Sequence, residues 1–275
     1  MTAAVRLYSP SRPLSDLVDY LWFQKGSASS PARERIVPSG TTELVFALHE
    51  RPLRLSGRDG VLRSVGSAAF CGIHASPFVI GAASHDDLIG VHFRPGGAFP
   101  FFAPPASELE EARCALDDLW GGAAAALGEQ LAAASSLEGR FALLEWTLLS
   151  RIARPLARHP GVAYALARLG GGTEKASIRS LVKETGLSAR RFIELFRREV
   201  GLTPNLFARV RRFQAVLGRL EDPAGAAWTE VALAHGYFDQ PHLVRDFRTF
   251  AGLTPTAYLA RRGAAMNHVI LPDQG

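Results

Sequence analysis

A stretch near the C-terminus of this 275-residue chain occurs twice. Gly201-Leu202-Thr203-Pro204 returns as Gly252-Leu253-Thr254-Pro255 at an offset of 51 residues, and Phe196-Arg197 returns as Phe247-Arg248 at the same offset. Upstream, Gly186 answers to Gly236 and Val182 to Ala232 at an offset of 50, so the second copy carries one extra residue in its turn. Two copies cannot make a solenoid, which needs about three or more to bury its faces. They read as a duplicated supersecondary unit: a helix, a short Gly-containing turn and a second helix. In the first copy Ile178, Leu181 and Val182 form the inner stripe and Thr185-Gly186-Leu187 the turn; Ser188 caps a helix with Phe192, Leu195, Phe196 and Val200 inward. In the second copy Trp228, Val231 and Ala232 form that stripe and His235-Gly236-Tyr237-Phe238 turns the chain. Asp239 then caps a helix with Leu243, Phe247 and Phe250 inward.

Two helices joined this way are the helix-turn-helix of DNA-binding proteins, so the chemistry is expected on the outer face of each second helix. The first copy places Arg190, Arg191, Glu194, Arg197 and Arg198 there, and the second places Gln240, His242, Arg245 and Arg248. Arg can donate twice to guanine and Gln can form two bonds with adenine, each good pair being worth about 1–3 kcal/mol of discrimination. A single charged helix face is ordinarily a solvated surface; two at matched spacing favour a groove reader. The basic residues that follow each copy, Arg209, Arg211 and Arg212, then Arg261 and Arg262, are expected to hold phosphates. Charge distribution agrees. Of the net +5, residues Pro160 to Gly263 hold 16 Lys+Arg against 9 Asp+Glu, and the remainder 15 against 17.

The rest of the chain reads differently. Over residues 1–105, runs such as Thr42–Leu48, Phe78–Ile80 and Leu88–Phe93 alternate with Pro38-Ser39-Gly40, Ser56-Gly57 and Pro95-Gly96-Gly97, the pattern of a small sandwich or barrel. An amphipathic helix is expected ahead of it, with Leu14, Leu17, Val18 and Leu21 at helical spacing after Pro13. From Ser107 the apolar period becomes helical through Leu116, Leu119 and Trp120, then Leu127 and Leu131, then Phe141, Leu144, Leu148 and Ile152. The expected class is α+β in two domains: an N-terminal β-rich sandwich or barrel with packed helices, and a C-terminal all-α domain with two helix-turn-helix motifs. The predicted domains are a sensor or dimerisation domain over 1–159 (β-rich 1–105, helical 107–159), a DNA-binding domain over 160–263 and a tail over 264–275.

Other chemistries find little support. Hydrophobic residues at 47% and charged ones at 21% are globular values. His49, His74, His85 and His92 lie in the strand-rich part at spacings of 25, 11 and 7, which match no metal-ligand pattern, so no metal and no cofactor are expected. Cys71 and Cys114 read as small buried hydrophobes, and two cysteines without a basic-then-apolar leader point to a reducing cytoplasm. No phosphate-binding glycine loop or nucleophile elbow occurs, so no enzyme is expected. No apolar run reaches the roughly 18 residues of a membrane helix. For an effector the one weak candidate is Arg94, in Arg94-Pro95-Gly96-Gly97-Ala98-Phe99, set against a plain turn with a solvated arginine.

Gly236-Tyr237-Phe238-Asp239-Gln240-Pro241-His242-Leu243-Val244-Arg245-Asp246-Phe247-Arg248, followed by Gly252-Leu253-Thr254-Pro255 and Tyr258, resembles the signature of the AraC/XylS family of transcription regulators over residues 160–262. That resemblance implies seven helices, with a long linking helix at about Pro204 to Leu220 carrying both units so that their recognition helices enter successive major grooves. It also implies base contacts from Arg190, Ile193 and Glu194 in the first unit and from Gln240, His242 and Arg245 in the second; Glu194 stands where the family often has Arg. The N-terminal half is similar, more loosely, to the sensor part of an AraC-like subgroup through Pro38–Val45, Phe93–Ala98 and Asp117–Gly121. The implied partners are promoter DNA, RNA polymerase, a small-molecule effector and a second copy of the chain. A sequence-specific regulator of transcription is expected, with activation and repression both open; the alternative is a constitutive DNA-binding protein whose N-terminal half only contacts other proteins.

Overall fold

The chain is described by a computed structural model over residues 5–26, 33–49, 51–57, 59–81, 87–171, 177–220, 228–263 and 265–272. Its strands are β1 (Val5–Tyr8), β2 (Val18–Gln24), β3 (Arg33–Ile36), β4 (Glu43–Ala47), β5 (Arg54–Ser56), β6 (Leu62–Ser64), β7 (Ala68–Cys71), β8 (Phe78–Gly81), β9 (Leu88–Phe93), β10 (Arg113–Ala115) and, near the C-terminus, β11 (His268–Ile270). Its helices are α1 (Asp117–Trp120), α2 (Ala123–Ala133), α3 (Leu137–Ser150), α4 (Pro160–Leu169), α5 (Ile178–Thr185), α6 (Ala189–Val200), α7 (Pro204–Leu217), α8 (Trp228–Ala234), α9 (Gln240–Ala251) and α10 (Pro255–Arg261). The class is α+β, as the sequence leads one to expect, with two antiparallel sheets ahead of an all-helical module of seven described helices.

One sheet runs β1-β2-β9-β4-β7-β10 and the other β11-β3-β8-β5-β6. Strand alternation sends Leu21, Leu44, Phe46, Ile89, Val91 and Phe93 to one face of the first sheet, where they are at most 1% exposed beneath α2 and α3. The helices contribute Leu127, Leu131, Phe141, Leu144 and Leu148 to this core. The opposite face meets the second sheet through Ala47, Ala69, Cys71 and Leu88 against Leu55 and Phe78.

The expected helix over Leu14–Leu21 is absent. Leu14–Asp16 form one 3-10 turn and Val18–Gln24 is a strand. The pairing of β2 with β9 shifts register between Val18 and Tyr20. That irregularity adds a residue to the strand, so Val18 and Leu21, three apart, are both fully buried and imitate a helical stripe. The β-branched and aromatic content of Val18-Asp19-Tyr20-Leu21-Trp22-Phe23 decides the outcome. Likewise Arg113–Ala115, inside the segment read as helical, is the edge strand beside β7.

The two halves share a core. Val37 and Ile73, from the N-terminal half, are buried in the cluster that fills the helical module. The stretch read as a tail also crosses over: β11 pairs with β3, and the Leu271 N–H donates to the Arg33 carbonyl at 3.1 Å. At the junction Gly201 adopts φ +103°, and a Cβ there would sit 2.3 Å from Ile73 Cγ2. Both the positive φ and the contact exclude a side chain. Gly201→Ala is therefore expected to destabilise the full chain by about 1–3 kcal/mol, measured as a shift in urea midpoint without a change in slope.

Candidate nucleic-acid interface

Each repeat folds as its residues dictate. Gly186 (φ +66°) and Gly236 (φ +74°) occupy the left-handed region that closes the turns. Ser188 Oγ accepts the Arg191 N–H at 3.3 Å and Asp239 Oδ1 accepts that of His242 at 2.8 Å, so both recognition helices, α6 and α9, are capped as the spacing predicts. Pro241, in the first turn of α9, forfeits only an N–H that would have no helical partner. Between the units lies α7. Its Phe207 ring packs edge-on to Phe196 of α6 at 5.6 Å, and Phe213 packs edge-on to Phe247 of α9 at 5.0 Å. One rigid helix thereby positions both.

On α6, Arg190 is 90% exposed; its Nε donates to Glu194 Oε1 at 2.9 Å, and Arg191 lies 3.8 Å from the other oxygen. The hydrogen bond from Arg190 holds the Glu194 carboxyl below its usual range. Exposed pairs of this kind are screened by water and weaker than a good base contact, so Arg190 can exchange its partner for a base. Ile193 is exposed between them. Arg197 faces elsewhere, pairing at 3.6 Å with Glu110 of the N-terminal half. On α9, Arg245 and Arg248 are exposed with no side-chain partner among the described residues. Gln240 is exposed and accepts a bond from Thr229 at 3.2 Å, while His242 is partly covered, edge-on to Tyr237 at 5.1 Å.

The geometry does not give Arg211 and Arg212 to phosphates. Arg211 donates to the Gly170 carbonyl at 3.0 Å and to the Ser39 carbonyl at 3.2 Å, and burial pulls its guanidinium below the usual range. Arg212 lies over the Tyr237 ring at 4.4 Å and 3.6 Å from Asp246, which is fully buried and also receives Arg209 at 2.7 Å. Arg211 and Arg212 face inward because α7 is central, whereas Arg209 keeps 39% of its side-chain exposure. Sequence reasoning missed this triad, since Asp246 looks like any helix-surface acid until α7 is placed. It also missed Phe238, 85% exposed in the turn before α9.

The remaining candidates are tied up or scattered. Arg94 donates to the Ser15 carbonyl at 2.9 Å and pairs with Asp19 at 3.1 Å, so its charge is already balanced at the start of β2. His74 is buried edge-on to Phe78, His92 lines the inter-sheet side, and His85 lies outside the described residues. Among the described residues no group of three or more His, Cys, Asp or Glu could hold a metal. Burial pushes the Cys71 thiol up to about 12 and the Cys114 thiol up to about 11, the reverse of an activated nucleophile. No helix among them is long and apolar enough to cross a membrane.

Fold and site together define a double helix-turn-helix protein with a β-rich N-terminal domain. Residues 181–261 match a helix-turn-helix domain family and residues 6–115 match a domain of unknown function, DUF6597. The chain is 30% identical over 91 residues to XylDLEGF operon transcriptional activator 3 of Pseudomonas putida, a match covering 32% of this chain and 28% of that activator's length. It is 30% identical to the crystal structure of a probable AraC family transcriptional regulator from Rhodopseudomonas palustris CGA009, over 35% of this chain and 87% of that one, with a TM-score of 0.30. ToxT from Vibrio cholerae aligns over 94% of this chain and 98% of its own, at 9% identity and a TM-score of 0.46. The matched C-terminal segment is a helix-turn-helix domain of the AraC/XylS type.

Asp246→Ala removes the shared anion of Arg209 and Arg212. Arg209 keeps some access to water, so a loss of about 1–3 kcal/mol is expected, seen as a lower thermal midpoint.

Proposed function

We propose that the chain is a one-component regulator that reads promoter DNA with α6 and α9, its N-terminal domain sensing an effector and setting the arrangement of the two units. The observation that carries this reading is the pair of matched, capped helices with free or readily released arginines, Arg190 and Arg191 on one and Arg245 and Arg248 on the other. Arg245 would donate twice to a guanine and Gln240 would pair with adenine, while Ile193 would meet a thymine methyl. Arg248 and Arg261, both exposed, take the phosphate role expected of Arg211 and Arg212. Control follows from contact: the N-terminal half touches both units, through Glu110 on Arg197 and through Arg35, whose Nη1 donates to the Ala251 carbonyl at 2.9 Å. An effector that favours one docking geometry would bias DNA affinity by its differential affinity for that geometry. The work is done by binding, without catalysis, in the cytoplasm.

A second reading, that the N-terminal half serves contacts with another copy or with RNA polymerase, draws on exposed apolar side chains at the end of α3 and just beyond, Trp146 (66%), Leu149 (41%) and Ile152 (38%).

Two substitutions separate the roles on a duplex selected by the full-length protein. Arg245→Ala is expected to cost about 1–3 kcal/mol on that duplex and to relax preference at one base pair; an equal loss on every duplex contradicts a base contact. Arg211→Ala is expected to leave the salt dependence of binding unchanged while lowering the melting temperature, because it holds the Ser39 loop; a salt slope smaller by about one would return it to a phosphate.

A further inference from the structure

The first sheet is sealed on one side and only partly covered on the other. Beneath the helices its central strands are sealed, whereas on the side facing the second sheet Tyr20, Trp22, Glu43, Val45 and His92 all stay partly accessible. They share that side because Tyr20 and Glu43 lie opposite His92, and Trp22 and Val45 opposite Gly90. In a filled sandwich, central-strand residues that face the other sheet are occluded. Here the Glu43 side chain keeps 35% of its exposure on an inner strand, so the second sheet covers this end incompletely; we call this opening the cleft, and Trp22 and Val45 beside it pack against the core of Leu55, Phe78 and Leu88.

The lining is specific. Trp22 Nε1 donates to Glu43 Oε1 at 3.1 Å, and His92 Nδ1 lies 3.2 Å from the same oxygen. The His92 ring stacks on Tyr20 at 4.6 Å, 2° from parallel. The Trp22 ring lies against Gly90, where any Cβ would come within 2.5 Å of it. Glu43 is thus aimed by two rings while its second oxygen is engaged by no described group, and no Lys or Arg among the described residues pairs with it. On the second sheet, Glu34 is buried and met by His268 at 2.9 Å, while Arg113 is occupied by Glu111 at 2.8 Å. A half-buried carboxylate among aromatic faces, with its neighbouring cation already neutralised, is matched by a positive guest.

We propose that this cleft is the effector site and that it takes a small organic cation bearing an ammonium group, with Glu43 as counter-ion and the Trp22 and Tyr20 rings as its walls. The assignment rests on the reading of the N-terminal domain as the sensing part. A route to the DNA-binding units is built in: along β3, Ile36 packs on the inter-sheet core while Arg35 and Val37 face the helical module, where Arg35 holds the end of α9. A guest that shifts β3 therefore shifts the second unit.

Calorimetric titration of the full-length protein with methylammonium, tetramethylammonium and phenethylammonium chlorides, against neutral 2-phenylethanol and anionic phenylacetate, tests this. At least one ammonium probe is expected to bind saturably and about tenfold more tightly than its neutral match, with that advantage lost in Glu43→Gln and reduced in Trp22→Phe. Trp22→Phe keeps a ring in place, so it serves if Glu43→Gln fails to fold. Millimolar ammonium probes that bind no better than the neutral or anionic ones, or that bind Glu43→Gln equally well, overturn the assignment. Duplex selection by the same preparation without probe is run alongside. Retained DNA preference with failed ammonium binding removes the cleft alone, whereas lost DNA preference removes the regulator reading.

Discussion

The arrangement rests on the packing of α7 between the two units. Phe207, Val210, Phe213 and Val216 are fully buried, Leu217 nearly so, and each contributes on the order of 1.5–3 kcal/mol by leaving water. Phe207 belongs to the first helix-turn-helix unit and Phe213 to the second, so neither unit can rotate without opening the core of the other. The spacing of the two recognition helices is consequently a packing property rather than that of a flexible linker. The inward Arg211 and Arg212 follow from the same fact: cations on the packed faces of a central helix must be satisfied internally, and Asp246 and the Ser39 and Gly170 carbonyls do so.

The N-terminal domain is part of this packing. Gln214 of α7 donates to the Pro38 carbonyl at 2.5 Å, Val37 and Ile73 enter the helical core, and β11 returns from the C-terminal end to extend the second sheet. Two domains joined only by a linker would move independently; these are joined by a shared core, a strand and several side-chain to carbonyl bonds. β3 lies in the middle of that connection, alternating between the inter-sheet cleft and the helical module. The same period of two that builds a sheet can carry a disturbance from one of its faces to the other.

Much of the helical module was legible because its signals are local. The repeat, the turn glycines Gly186 and Gly236 and the caps Ser188 and Asp239 act within a few residues, and the structure places them as their spacing predicts. What depended on distant partners was not legible. The strand at Val18–Gln24 read as a helix because an irregularity in its pairing with β9 put buried residues three apart. Arg211 and Arg212 read as phosphate contacts because their partners lie elsewhere in the chain, at Ser39 and Asp246. The cluster of Tyr20, Trp22, Glu43 and His92 comes from three strands, and no single stretch announces it.

The most direct test of the central claim is a chemical footprint of the full-length protein on its selected duplex. A rigid α7 predicts two protected major-groove segments on one face of the DNA, about one helical turn or 34 Å apart, with Gln240, His242 and Arg245 over one and Arg190 and Ile193 over the other. Protection of a single segment, or a separation that varies from site to site, would contradict it.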